Sequence, residues 1–195
     1  MSKRIGVFVC ECGLNIAGSV DCNQVMEYAR GLPDVAFAVV NRYTCSDPGQ
    51  AEIKKGIQDN NLDRVVVASC TPRMHEPTFR KTIVEAGLNP YLLEMANIRE
   101  HCSWVHLHDR EAATAKAKDL VKMAVARAAK LEAQTETRVP VTESVLIVGG
   151  GIAGIQASLD FAENGYKVYL VEKQPSIGGI MAQIDKTYPT MDCSI

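Results

Sequence analysis

The sequence predicts the α/β class with parallel strands, on three observations. Short apolar runs without polar alternation recur along the chain, as strands buried on both faces of a parallel sheet require: Ile5 to Val9, Val35 to Val40, Arg64 to Ser69, Tyr91 to Met95, Val145 to Val148 and Tyr166 to Val171. Amphipathic helical stretches separate them, and crossovers of that length join parallel neighbours. Cysteine or glycine directly follows several of the runs, at Cys10, Cys70 and Gly149, marking the strand ends as the chemically loaded positions.

The composition narrows the function classes. With 195 residues there is room for one large or two small domains, and 47% hydrophobic with 23% charged residues is ordinary for a soluble globular protein. A net charge of −2 without runs of like charge argues against nucleic acid or an anionic membrane as partner. No apolar stretch approaches the length of a membrane span, and Met1-Ser2-Lys3-Arg4 runs straight into a short strand rather than a signal sequence, so a cytoplasmic location is expected. Seven cysteines, an odd number without an export signal, favour metal or redox use over a disulfide framework.

Taken in order, Ile5 to Val9 is a strand running into Cys10-Glu11-Cys12-Gly13, and Val20 to Gly31 reads as a helix capped by Asp21 with Val25, Tyr28 and Ala29 facing inward. Val35 to Val40 is the next strand, carried by Asn41 to Thr44 towards Cys45; Ser46-Asp47-Pro48-Gly49 reads as a turn. Ala51 to Asn60 is a helix with Ile53 and Ile57 on one face. Arg64 to Ser69 is a strand ending at Cys70; Thr71-Pro72 breaks the chain, Glu76 to Ala86 is helical, and Tyr91 to Met95 is the fourth strand. Asp109 to Gln134 is a long helix by its alanine, lysine and glutamate content, with Leu120, Val121, Ala124, Ala128 and Leu131 along one stripe. Thr135 to Thr142, polar and carrying Pro140, forms a boundary.

Every strand of a parallel sheet delivers its C-terminal end to the same edge, where ligands of open α/β sheets collect. Cys10, Cys45 and Cys70 are therefore expected to converge, although 35 and 25 residues separate them. With Cys12 they supply the four thiolates of a [4Fe-4S] cluster; Cys102, after the fourth strand, is the rival fourth ligand. Cys22, early in a helix, reads as a small buried hydrophobe. Zinc is the chemical alternative for four thiolates, though paired C-x-x-C knuckles are missing, and core packing of all the cysteines is the bland one. His75, His101, His106 and His108 include no metal pair at helical spacing and read as solvated or capping residues; Arg73 and Arg80, flanking the Cys70 loop, are assigned no role.

The second half carries a different signature. Gly149-Gly150-Gly151-Ile152-Ala153-Gly154 fits G-x-G-x-x-G between the strand Val145 to Val148 and a helix from Ile152 to about Asn164, which Gly165 stops. The glycines permit a tight turn, close approach of a pyrophosphate and helix-on-strand packing, and the helix offers its free N–H groups to phosphate. Glu172 ends the following strand, 18 residues past Gly154, where a carboxylate accepts from ribose hydroxyls. Strand, helix, second strand and terminal acid together form the first β-α-β of a Rossmann-like domain. Glu172-Lys173-Gln174-Pro175-Ser176-Ile177-Gly178-Gly179 resembles the E-K-x-x-x-x-G-G stretch of flavoproteins of the glutathione/thioredoxin reductase type, which implies FAD rather than NAD.

With both regions read, the chain resembles the N-terminal portion of the heterodisulfide reductase A-subunit family. The resemblance rests on Val9-Cys10-Glu11-Cys12-Gly13, Cys45-Ser46-Asp47-Pro48-Gly49-Gln50, Ala68-Ser69-Cys70-Thr71-Pro72-Arg73, His75-Glu76-Pro77-Thr78-Phe79-Arg80, Ala96-Asn97-Ile98-Arg99-Glu100, Cys102-Ser103-Trp104-Val105-His106 and the flavin fingerprint. It implies an iron–sulfur domain over residues 1–134 ending in a long linking helix, a linker over 135–143, and the incomplete start of a thioredoxin-reductase-like FAD domain over 144–195. It further implies flavin-based electron bifurcation, in which a pair from a hydrogenase or formate dehydrogenase is divided between ferredoxin and, through other heterodisulfide reductase subunits, a heterodisulfide.

Family members are several times longer, and two strands with one helix cannot close a dinucleotide-binding sheet. The remainder of the same polypeptide, or a second chain, is thus expected to complete the FAD domain. Asp192-Cys193-Ser194-Ile195 stops one residue short of the second cysteine of the family's C-x-x-C, and some members carry selenocysteine in that region. The expectation is a selenocysteine after Ile195, its codon read as a stop; a single native species at 21.2 kDa by intact mass spectrometry would sink it. Three functions are compared: an electron-transferring iron–sulfur flavoprotein segment, which is preferred; a docking or assembly module whose cysteines bind zinc or nothing; and a nicotinamide-linked reductase, disfavoured by Gly178-Gly179.

Overall fold

All six residues of β1 (Ile5–Cys10) are buried, the pattern of a strand paired on both edges and covered on both faces. In the computed structural model, which describes residues 3–194, β1 lies parallel between β2 (Val35–Asn41) and β3 (Arg64–Ser69). β4 (Leu93–Asn97) adds outside β3, so the sheet order is β2-β1-β3-β4. The register places Cys10 beside Asn41 and Ser69 beside Asn97, so all four strands release the chain at one rim. Strand order reverses between β1 and β3, since β2 adds on one side of β1 and β3 and β4 on the other, and this is the place where such sheets open a crevice.

Among the described residues, this first unit has five α-helices: α1 (Gly13–Ile16), α2 (Cys22–Arg30), α3 (Asp47–Asp59), α4 (Pro72–Glu85) and α5 (Arg110–Ala128). One face of the sheet is covered by α2 and α5, whose Val25, Ala113, Ala117 and Val121 pack on Ile5, Val7 and Val9. The other face is covered by α3 and α4, with Ile53, Ile57, Phe79 and Ile83 around Phe8. Alternation along β1 thus feeds two cores at once.

Several element boundaries differ from the sequence expectation, each for a local reason. Ser46-Asp47-Pro48-Gly49 is the start of α3 rather than a free turn, because the Ser46 hydroxyl accepts from the Gly49 N–H at 3.3 Å and proline suits a first helical turn. Thr71-Pro72 likewise caps and opens α4, the Thr71 hydroxyl accepting from Arg73 N–H. Asn89 accepts from the Tyr91 N–H and winds Pro90–Leu92 into a 3-10 turn, which moves β4 two residues towards Asn97. The long helix stops at Ala128 instead of Gln134: Arg64 donates to the Leu131 carbonyl and Asn89 to the Gln134 carbonyl, and these side chains draw the segment off the helix axis. Residues 132–143 are exposed and carry no regular structure.

The contacts divide the chain into two units between Glu136 and Thr137. The second contains β5 (Ser144–Val148), α6 (Ile152–Glu163) and β6 (Lys167–Val171), with β5 and β6 parallel. Its strands were expected to be buried on both faces; they are half-buried on one. Val145, Ile147, Val168 and Leu170 are partly covered, whereas Leu146 and Val148 on the opposite face are 64% and 79% exposed. A single helix can cover only one side of a two-stranded sheet. Among the described residues no helix is long and apolar enough to cross a membrane. The expected selenocysteine position, after Ile195, lies outside the described residues.

Candidate cofactor sites

The first candidate site is the C-terminal rim of the four-stranded sheet. Cys10 is the last residue of β1 and Cys70 immediately follows β3, both buried; Cys45, half-buried, follows the turn after β2. That turn is pressed close: a Cβ on Gly49 would stand 2.7 Å from Thr44 Cα, so glycine there lets the start of α3 hold the Thr44-Cys45 backbone. Thr44 in turn donates its N–H to Cys10 Sγ at 3.4 Å. Gly13, at a φ of 43° in the left-handed region, lets the chain fold back after Cys12, which sits half-buried at the start of α1.

The thiols differ in their electrostatic surroundings. Burial pushes the Cys10 thiol up, hydrogen bonds from Thr44 pull it back, and charge on Cys12 or Cys45 pushes it up again. Burial also raises Cys70; the Arg99 guanidinium opposes this, and Glu100 and Cys45 add to it. Cys10 thus feels Cys12 and Cys45, and Cys70 feels Cys45; Cys22 feels Cys10 as well. Among the described residues, no three His, Cys, Asp or Glu side chains close to the arrangement that holds a single metal ion.

Cys102 is engaged differently. It is fully buried in the core beneath α5, its Sγ donates to the Ala113 carbonyl at 3.0 Å, and the charge it feels after burial has raised it is Lys116. Cys22 is also packed in that core, with its thiol directed at the Cys10 carbonyl and pushed up to about 12, first by burial. Cys193 is exposed.

The rim carries polar groups beyond its sulfurs. Asn41 Oδ1, Ser69 Oγ and Glu100 Oε2 are buried at or just past the strand ends without a hydrogen-bond partner, an expensive state unless something else is bound there. Of these only the Ser69 hydroxyl can donate; it, the thiols, the Thr44 N–H aimed at Cys10 Sγ and the nearby guanidinium suit an anionic iron–sulfur cluster, whereas the Asn41 and Glu100 oxygens are acceptors and do not. Arg99 was not among the residues expected from sequence. The signal was available, because it leaves β4 at the same edge as the cysteines; Arg80, by contrast, is committed to Glu76 and stacked 5.0 Å from the Tyr91 ring centre.

The second candidate site is the β5–α6 turn. A Cβ on Gly154 would lie 1.9 Å from the Gly149 carbonyl oxygen, so the helix can approach the strand only because residue 154 is glycine. Gly149 has a φ of 109°, and a Cβ on Gly151 would meet nothing within 4 Å. Space is thus left in front of the α6 N-terminus, where the N–H groups of Ile152, Ala153 and Gly154 have no partner within the helix. Gly178 donates its N–H to the Gly150 carbonyl at 2.7 Å, and Gly179 lies against Gly151, so the glycine pair folds onto the glycine loop.

Glu172 closes this arrangement. Its carboxylate accepts from Gly150 N–H at 2.6 Å and from Gln174 N–H at 2.8 Å. The Gln174 and Gly150 N–H groups, with help from Lys173, hold it below the usual carboxylate range, so it stays ionised. A carboxylate has roughly four acceptor sites, which leaves capacity for ribose hydroxyls. Open cradle, uncapped helix and anchored acid suit the adenosine half of FAD.

The comparisons with known proteins bear on the family and on the flavin half of the chain. Residues 144–188 match the FAD dependent oxidoreductase family model. The second iron–sulfur A-subunit of CoB–CoM heterodisulfide reductase in Methanopyrus kandleri is 61% identical over 98% of this chain and 29% of its own length. The iron–sulfur A-subunit of CoB–CoM heterodisulfide reductase in Methanocaldococcus jannaschii is 60% identical over 100% of this chain and 30% of its own. The A-subunit of the H2:CoB–CoM heterodisulfide, ferredoxin reductase of Methanothermobacter marburgensis is 58% identical over 98% and 29%. Strand-end cysteines, the flavin half-site and identity along essentially the whole chain converge: the chain belongs to the heterodisulfide reductase A-subunit family and spans about 30% of the length of the relatives it matches.

Proposed function

We propose that the chain is an electron-transferring segment of an oxidoreductase, holding a [4Fe-4S] cluster on Cys10, Cys12, Cys45 and Cys70 and FAD at Gly149, Gly150, Gly151, Ile152, Ala153, Gly154, Glu172, Lys173, Gly178 and Gly179. What supports the reading is that three neighbouring parallel strands deliver Cys10, Cys45 and Cys70 to one rim, with Cys12 two residues past Cys10, while the Cys102 thiol is engaged by the Ala113 carbonyl. It favours Cys12 over Cys102 as fourth ligand. When bound, the flavin exchanges electron pairs and the cluster single electrons. The protein's own groups bind and orient. Thr44 N–H steadies one ligand sulfur, burial keeps water from the rim, the α6 N-terminus faces phosphate, and Glu172 accepts from ribose.

In this reading the rest of a flavin domain covers the exposed face of Leu146, Val148, Tyr169 and Val171, and other heterodisulfide reductase subunits pass electrons onward. Flavin-based bifurcation is the activity proposed for the whole assembly, with hydrogenase or formate dehydrogenase as donor and ferredoxin and a heterodisulfide as acceptors. The relatives' names support it, since they pair heterodisulfide with ferredoxin and with H2 or formate. The test is anaerobic purification with iron, sulfide and flavin counts. Absorption near ~450 nm with a broad shoulder that bleaches on dithionite is expected. Cys45→Ala and Cys70→Ala should lower iron and keep flavin, Glu172→Ala the reverse; a protein without iron or flavin refutes the reading.

A further inference from the structure

Gly150, inside the glycine loop, is held from three sides. Its N–H donates to Glu172 Oε2 at 2.6 Å, and its carbonyl accepts from the Gly178 N–H at 2.7 Å. The third contact is a side chain. A Cβ on Gly150 would lie 2.8 Å from Ile177 Cγ2 and 3.3 Å from Ile177 Cβ, so the branched part of Ile177 closes directly over the Gly150 backbone. Gly178, at a φ of 115°, lets the chain turn back and present Ile177 in this way. Both polar groups of Gly150 are thus engaged within the protein, and the Gly149 N–H is given to the Val171 carbonyl at 2.7 Å. The donors left for phosphate are those that follow, at the start of α6.

Resting on the flavin reading above, we propose that Ile177 is a positioning residue for FAD: braced against Gly150, it fixes the direction in which the N–H groups at the start of α6 face the pyrophosphate. Three consecutive glycines have no side chains to restrict the loop, so its shape must be imposed from outside. Each of the two hydrogen bonds fixes one of the peptide planes that meet at Gly150, and the Ile177 methyl blocks the side towards which the Cα between them could move. A β-branched side chain has few rotamers, which makes that methyl a stiff stop. The loop in turn touches the helix: a Cβ on Gly154 would stand 1.9 Å from Gly149 O, so a shift of the loop is passed to the start of α6. Hydrogen bonds weaken steeply with misalignment, and small shifts therefore count. Ile177 is 56% exposed, so truncating it opens no buried cavity and its contact with Gly150 is not a by-product of core packing.

The test uses the native subunit purified with its flavin, and compares wild type, Ile177→Ala and Ile177→Val. The FAD dissociation constant is measured from the recovery of free-flavin fluorescence on dilution, and the bound pyrophosphate is observed by phosphorus NMR. Ile177→Ala, which loses Cγ2, should weaken FAD binding about tenfold, the equivalent of one misaligned hydrogen bond to phosphate, and should move the pyrophosphate signals. Ile177→Val keeps Cγ2 and should stay within about twofold of wild type, with its phosphorus signals in place. Wild-type affinity in Ile177→Ala, weakened affinity with unmoved phosphorus signals, or Ile177→Val as weak as Ile177→Ala overturns the inference. A native subunit that carries no flavin instead overturns the flavin reading beneath it.

Discussion

Replacing Gly154 by alanine tests the flavin half-site most directly, because the structure fixes both the sign and the scale of the effect. The new Cβ would sit 1.9 Å from Gly149 O and 3.1 Å from Gly149 C, both backbone atoms that cannot swing aside. The start of α6 must therefore retreat by about 1.1 Å merely to reach the 3.0 Å that real Cβ atoms tolerate. Against this stands the helix preference of alanine over glycine, about 1 kcal/mol. Overpacking costs about 1–3 kcal/mol, and a backbone-on-backbone clash belongs at the upper end. The balance is a loss of about 1–2 kcal/mol, together with a displacement of the phosphate-facing N–H groups.

The companion variant is Gly151→Ala, whose Cβ meets no protein atom within 4 Å. It should leave the fold intact yet occupy the space reserved for the pyrophosphate. Both variants are assayed by flavin bound per chain after desalting and by thermal melting followed by circular dichroism. Gly154→Ala is expected to lose flavin and stability together, and Gly151→Ala to lose flavin alone. Full flavin occupancy in Gly151→Ala would refute the cradle, and an unchanged melting temperature in Gly154→Ala would refute the packing argument.

Three further outcomes follow from the first unit. Cys102→Ala should keep its full iron content while melting at a lower temperature, because it removes a buried thiol bonded to Ala113 rather than a cluster ligand; loss of iron would return Cys102 to the ligand set. Asp21 caps α2 by accepting from Gln24 N–H, which with the Arg110 charge holds its carboxyl below the ordinary range despite some burial. A depressed carboxyl stabilises above its unfolded value and loses that contribution as pH falls through the folded one, so Asp21→Asn, which keeps a cap acceptor, should flatten the stability profile below about pH 4, whereas Asp21→Ala costs about 1 kcal/mol at neutral pH. Urea titrations at several pH values distinguish them. Phe8→Ala empties the space between Phe37 and Gly56 at the centre of one core, and chemical denaturation should show a loss of about 3–5 kcal/mol.

Much of this protein is legible in residue order alone. The apolar runs around Val7, Val66 and Ile147 specify strands, their spacing specifies parallel pairing, and parallel pairing delivers Cys10 and Cys70 to one edge. These are local or topological consequences, which periodicity and handedness dictate without reference to exact packing. Gly149 to Gly154 and Glu172 are equally explicit, because a tight turn and a close helix approach exclude other residues. Element ends were less legible. Ser46, Thr71 and Asn89 each redirect the chain through one side-chain hydrogen bond that competes closely with the alternatives. The tertiary structure alone decided that Cys102 turns into the core under α5, where its thiol donates to the Ala113 carbonyl, since a loop's direction depends on what it packs against. Residue order places Arg99 after β4 at the cysteine edge, but the tertiary structure alone decided that its side chain is pinned between Glu100 and Trp104, because side-chain contacts across a turn leave no period in the sequence.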